Sequence, residues 1–171
     1  MNVEVRQAVH PEHGKRMDTG ELRENFLVER VFVPGEISLT YSLFDRIVFG
    51  GIVPLEKPLT LDPDPAFATE FFLARREIGM INLGGAGSAT VDGVTHDLGN
   101  RDGLYIGMGV RDVSFTSADA KNPLKLYAVS TAAHHGYPTV LIKQSDAQQV
   151  HLGSAEQSNT RTIYQYVHPK V

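Results

Sequence analysis

Arg75-Arg76-Glu77 is the first place in this chain where residue types and spacing could do chemistry. A guanidinium offers a planar fork of N–H donors that matches a carboxylate. Strand alternation puts Arg75 and Glu77 on one face, and Arg76 on the other with Ile78 and Met80. Two readings are open: an arginine grips a substrate carboxylate, or the charges form an ion pair that braces the sheet or a subunit contact. A second place is Gly84-Gly85-Ala86-Gly87, which could cradle a phosphate if a helix followed. The third is the histidine set, His10, His13, His96, His134, His135, His151 and His168. His10 and His13 flank Pro11-Glu12, but Pro11 and Gly14 argue against the helix that would let them chelate together. His134 and His135 are adjacent, so in a strand they would face opposite sides and could not hold one ion.

The phosphate reading fails on what comes next. ATVDGVTHDL follows Gly87, and Asp92-Gly93 between two alternating segments is a strong hairpin signal. Walker-type spacing is absent, and the nearest dinucleotide fit has Thr90 where a third glycine belongs. The glycines are turn and bulge residues of a sheet.

Those residues need elements to position them. The chain of 171 residues has 42% hydrophobic and 21% charged residues, ordinary for a globular protein with one good core or two small ones. Net charge is −4 with dispersed Lys and Arg, which lacks the electrostatic footprint of a nucleic-acid binder. Zero cysteines exclude disulfides and thiolate metal sites and fit a cytoplasmic protein. No apolar run approaches the ~20 residues of a membrane span.

Residues 1–25 read as an irregular arm plus a short helix opened by a capping box, Asp18 with Glu21. Strand-like runs follow at 26–33, 37–44 and 46–53, punctuated by Pro34-Gly35 and Gly50-Gly51. The proline-rich stretch 54–66 reads as a loop or short edge strand. Residues 69–83 read as one bent strand or two. Short strands are predicted at 89–91, 94–98, 104–106, 113–116 and 124–130, a helical turn over 144–150 and a last extended segment at 160–167. Phe71, Phe72, Tyr105, Phe115 and Tyr127 are the candidate core and sheet-packing aromatics. The expected fold is all-β: an antiparallel sandwich or barrel over 26–140, with a connector over 141–171.

The order of strand, Gly, strand, Asp-Gly, strand, Arg-Asp, strand resembles the cupin fold. Five stretches narrow the match: VRQAVHPEHGKRMDTGELRENFLVERVFV, YSLFDRIVFGGIVP, FLARREIGMINLGGAGSATVDG, NRDGLYIGMG and SNTRTIYQYV. In that order they resemble the N-terminal half of the 5-keto-4-deoxyuronate isomerase family. The resemblance implies two cupin-like halves in a subunit, a hexameric homo-oligomer, and ketol isomerisation of 4-deoxy-L-threo-5-hexosulose uronate to 3-deoxy-D-glycero-2,5-hexodiulosonate in pectin and uronate breakdown. It also implies zinc, held by a His-x-His-x-x-x-x-Glu run and a later His in the C-terminal half. No His-x-His occurs here. No catalytic or metal-binding residue is therefore carried over, and no zinc is expected on this chain. The alternative is a non-catalytic cupin domain for sugar-acid binding or oligomerisation.

Three residues remain as candidate substrate contacts. Arg76 would meet the carboxylate. His134 matches a family histidine before Tyr-Pro and would either bond a sugar hydroxyl or anchor the Tyr137-Pro138 turn. Arg161 matches a family arginine and would reach the active site or pair across the boundary between halves.

Overall fold

The computed structural model describes residues 1–166. The expected last segment at 160–167 and His168 therefore lie partly or wholly outside the described residues. Among the described residues eleven strands form two packed sheets, and two more form a separate ribbon.

The larger sheet has the order β1-β2-β3-β10-β5-β8-β11. Its members are β1 (Asn2–Arg6), β2 (Ile37–Ser42), β3 (Ile47–Ile52), β5 (Arg76–Asn82), β8 (Gly103–Ile106), β10 (Leu126–Ala132) and β11 (Val140–Ile142). The smaller sheet runs β4-β9-β6-β7, from β4 (Leu59–Thr60), β9 (Val113–Ser117), β6 (Gly87–Val91) and β7 (Val94–Leu98). All pairings are antiparallel except β1 with β2. The fold is the antiparallel β-sandwich expected.

Alternation builds the core. In β5 every second residue from Arg76 to Asn82 is buried, so Arg76, Ile78, Met80 and Asn82 all point inward. Ile37, Leu39, Val48, Ile78, Leu104 and Leu126 from the larger sheet meet Ala89, Val91, Val113 and Phe115 from the smaller one. Closing the gap between two sheets removes apolar surface from water at ~25 cal/mol per Å². Phe72 and Phe115 are core, as expected, but Tyr127 stands on the outer face of β10 and is 38% exposed. Its parity in the strand, opposite to Leu126 and Ala128, decides this.

The hairpin at Asp92-Gly93 forms between β6 and β7, with φ of 44° and 84° at its two turn residues. Gly85 answers a different need. A Cβ there would run into the Asn122 carbonyl, so the chain crosses this point only without a side chain.

Four expectations change. The arm is not irregular: Asn2–Arg6 pairs in register with Ser38–Ser42 and edges the larger sheet. Pro11 does not break a helix but opens one, α1 (Pro11–Gly14), because proline at the first helical position gives up only a donor that has no partner there. His10 is its N-cap, accepting from the Glu12 amide at 3.2 Å. Residues 27–34 form no strand. The capping box of α2 (Thr19–Phe26) takes Phe26, and the edges of β2 and β3 are already filled by β1 and β10. Residues 72–74 form a 3-10 turn that delivers the chain to β5, so the strand starts at Arg76 and not at 69.

Past β11, which begins at residue 140, the helical turn expected over 144–150 is only the 3-10 turn Gln144–Asp146, and the chain enters β12 (Gln148–Leu152) and β13 (Arg161–Gln165). Among the described residues these two strands pair only with each other. Among the described residues no helix is long and apolar enough to cross a membrane.

Candidate functional site

The candidate site is the mouth of the sandwich where β5 begins. Arg76 is the first residue of that strand and only 6% exposed. Its Nε donates to Ser130 Oγ at 3.1 Å, and its Nη2 donates to the Ser130 carbonyl at 2.9 Å and the Arg46 carbonyl at 2.7 Å. Its carbon Cζ sits over the rings of Tyr41 and Phe67, 5.5 and 5.7 Å from their centroids. Phe67 reaches this place from the 3-10 turn Pro65–Phe67, opened by Asp64, whose carboxylate accepts from the Ala66 amide. Burial pushes the Arg76 guanidinium below its ordinary pKa; Tyr41 opposes this and the Arg46 charge adds to it.

Among the described residues the Arg75-Arg76-Glu77 run makes no ion pair within the sheet. Arg76 enters no salt bridge among the described residues. Glu77 faces the other side of the sheet, where it accepts from the Tyr105 hydroxyl at 2.7 Å. Burial, and then the Glu77 carboxylate, push that hydroxyl above its ordinary value. Arg75 precedes the strand and is exposed.

His134 lines the same pocket as Arg76, with Arg46, Arg75, Tyr41 and Phe67. It lies in a bend after β10 rather than in a strand. The neighbour His135 is the one that stacks on Tyr137, edge to face with ring centroids 4.8 Å apart. Arg161 does not join them: it starts β13 in the ribbon and donates to Asn159 Oδ1 at 2.6 Å. Sequence reasoning thus brought Arg76 and His134 together and missed Arg46, Tyr41 and Phe67. Arg46 had one signal, its place after Asp45 in the turn between two strand-like runs.

The histidines among the described residues do not converge. Among the described residues no three His, Asp or Glu side chains are placed to hold a metal ion. His10 caps α1, and His151 bonds Thr162 across the ribbon at 3.0 Å.

The comparison that decides the relationship is with a family model described as the KduI/IolB family, which matches residues 26–171. The chain belongs to the KduI/IolB family. Among its family relatives, the 4-deoxy-L-threo-5-hexosulose-uronate ketol-isomerase of Halalkalibacterium halodurans is 50% identical over 166 residues, covering 97% of this chain and 60% of the relative. The protein of that name from Pectobacterium carotovorum is 44% identical over 171 residues, covering 99% of this chain and 62% of the relative. The chain therefore spans about 60% of the length of these curated relatives. Among solved structures, an IolB-like protein from Salmonella typhimurium LT2 superposes with a TM-score of 0.55 at 16% identity, over 71% of this chain and 44% of that one. At that identity the KduI/IolB likeness in structure speaks to the fold alone.

Proposed function

We propose that this chain is the non-metal, scaffold share of a 4-deoxy-L-threo-5-hexosulose-uronate ketol-isomerase that works in the cytoplasm as a homo-oligomer. The observation that carries the reading is the 50% identity to a protein of that name across 97% of the chain. Such an isomerisation moves a proton between adjacent carbons through an enediol, and a metal bound elsewhere in the subunit would supply Lewis acidity. Zinc, which the resemblance implies, does not fit the described residues of this chain, because their histidines are spread over a helix cap, β7, a bend and the ribbon. No step of the reaction is assigned to them. Their contribution is the rigid sandwich, an assembly surface, and in Arg76 and His134 one wall that a sugar acid can meet. Arg161, in the ribbon, is proposed to face the remaining part of the subunit.

The test is a rate measurement on 4-deoxy-L-threo-5-hexosulose uronate, with light scattering for the mass. The 171-residue chain alone is expected to give no turnover. Co-expression with the uncovered remainder of the Halalkalibacterium halodurans relative is expected to give an oligomer that turns over substrate. Turnover by the chain alone overturns the scaffold assignment. A folded, zinc-loaded assembly without turnover overturns the isomerase reading.

A further inference from the structure

The outward faces of the two sheets differ in chemistry. On the smaller sheet Thr60, Ser114, Thr90 and Thr95 stand in register across all four strands, a row of hydroxyls suited to water. On the larger sheet the register lines up Phe49, Val129, Gly79 and Tyr105 across β3, β10, β5 and β8. The next row on that face places Tyr127 beside Ile81. Tyr127 and Val129 are 38% and 37% exposed, in the middle strand of a seven-stranded sheet. A contiguous apolar face of this kind marks an interaction surface.

Gly79 sets the centre of this face apart. It sits inside β5, and its φ lies outside the left-handed region. Glycine weakens a strand interior, so its place there needs a cause, such as another chain segment or a ligand coming close. The other strand glycines have that cause within the chain. A Cβ at Gly50 would meet the Ser38 carbonyl, at Gly51 the Val31 carbonyl, at Gly87 the Thr116 carbonyl and at Gly103 the Tyr166 ring. A Cβ at Gly79 would meet nothing within 4 Å among the described residues. The hollow it leaves, flanked by Val129 and Tyr105, is shaped for something other than these residues.

We propose that the outer face of the larger sheet, centred on Gly79, is the docking surface for the part of the subunit that the curated relatives carry beyond the span of this chain, with an apolar side chain of that part seated over Gly79. This rests on the scaffold reading above. The chain covers 60% of the Halalkalibacterium halodurans relative, so a large share of such a subunit lies outside it. Tyr166, where the described residues stop, already lies on this face. It packs on Gly103, which pairs with Ile81, and its hydroxyl donates to the Arg101 carbonyl. The chain thus reaches the same face that lacks a cover. Docking there removes Tyr127, Val129 and Ile81 from water, the force that also joins the two sheets of the sandwich. The hydroxyl row of the smaller sheet gains nothing from such a cover.

Co-expression of the affinity-tagged 171-residue chain with the uncovered remainder of the Halalkalibacterium halodurans relative tests it. The readouts are remainder recovered per chain and thermal unfolding of each chain variant alone. Gly79→Leu has open space for its side chain, so that variant alone should unfold at the wild-type temperature or above it. It fills the hollow, however, and should lower recovery of the remainder about tenfold or more. Val129→Glu, at an exposed position, should lower recovery to a similar degree by placing an unpaired charge in the contact, and it decides the matter if Gly79→Leu does not fold. Thr90→Glu, on the smaller sheet, should leave recovery unchanged. No recovery with wild type, undiminished recovery with a folded face variant, or an equal loss from Thr90→Glu would each overturn the proposal. Self-association of the chain alone that Gly79→Leu abolishes, with recovery of the remainder intact, would give the face to a second copy and overturn it too. Turnover is read on the same samples: full recovery and turnover with Gly79→Leu sinks the docking proposal alone, and a recovered wild-type assembly without turnover sinks the isomerase reading alone.

Discussion

The two ends of β5 bury polar side chains on the same inward face and treat them in opposite ways. At its far end Asn82, fully buried, ties a knot. Its Nδ2 donates to the carbonyls of Gly85 at 2.8 Å and Gly99 at 2.9 Å, and its Oδ1 accepts from the amides of Gly84 at 2.9 Å and Lys125 at 3.2 Å. Beside it Asp102 accepts from the Gly99 amide at 2.8 Å and from Lys143 Nζ at 2.7 Å. The Asp102 carboxylate there has Lys143 as its opposite. At the near end Arg76 has hydrogen bonds but, among the described residues, no counter-charge. At one end the polar groups satisfy one another; at the other a charge is held by neutral acceptors alone.

Breaking the closed end should have the largest effect. Asn82→Leu strands two amides and two carbonyls in the core, and is expected to cost on the order of 4 kcal/mol of unfolding free energy. Urea denaturation measures it; a loss under about 1 kcal/mol would show that the knot is redundant.

The Asp102 effect should be smaller and tied to pH. Burial raises its pKa, but the hydrogen bond from Lys143 and the Gly99 and Gln144 amides outweigh this, so the folded value is lowered. A lowered carboxyl pKa gives stability that is present above the unfolded value, about 3.9, and is lost as pH falls through the folded one. Wild type should therefore exceed Asp102→Asn by roughly 2 kcal/mol at pH 7, with the gap closing below about pH 4. A gap that stays constant down to pH 2 would remove the carboxylate from the account.

The open end should give the smallest change in stability. Arg76→Met loses three hydrogen bonds but also relieves a desolvated charge, so the expected cost is about 1 kcal/mol. A cost matching that of Asn82→Leu would erase the distinction between the two ends and make Arg76 a brace.

Much of this was legible in the sequence, for local reasons. Alternation placed Arg76 inward with Ile78 and Met80, and Asp92-Gly93 fixed the hairpin because two positive φ angles in a row leave few other residue choices. The remainder depended on partners distant in sequence. In Asn2–Arg6 valine alternates with polar residues, which is a strand signal, but the run is short and only the distant β2 gives it an edge to pair with. Arg46 touches Arg76 through its backbone carbonyl, which every residue possesses, so no side-chain type announces the contact. Tyr41 and Phe67 meet across the sandwich from a strand and a 3-10 turn. Arg161 could be matched to a family pattern, but its place in a ribbon apart from the mouth follows from the pairing of β12 with β13.

The position of β10 sets a timetable for synthesis. It lies between β3 and β5, although both precede it in the chain. As the protein leaves the ribosome, β3 and β5 wait with open edges until Leu126–Ala132 emerges and slots between them. Pairings that distant in sequence close slowly, and open edges left waiting are where nascent chains stick to one another. The strand that joins the two parts of the larger sheet is thus also the one whose late arrival sets how long the edges of β3 and β5 stay open.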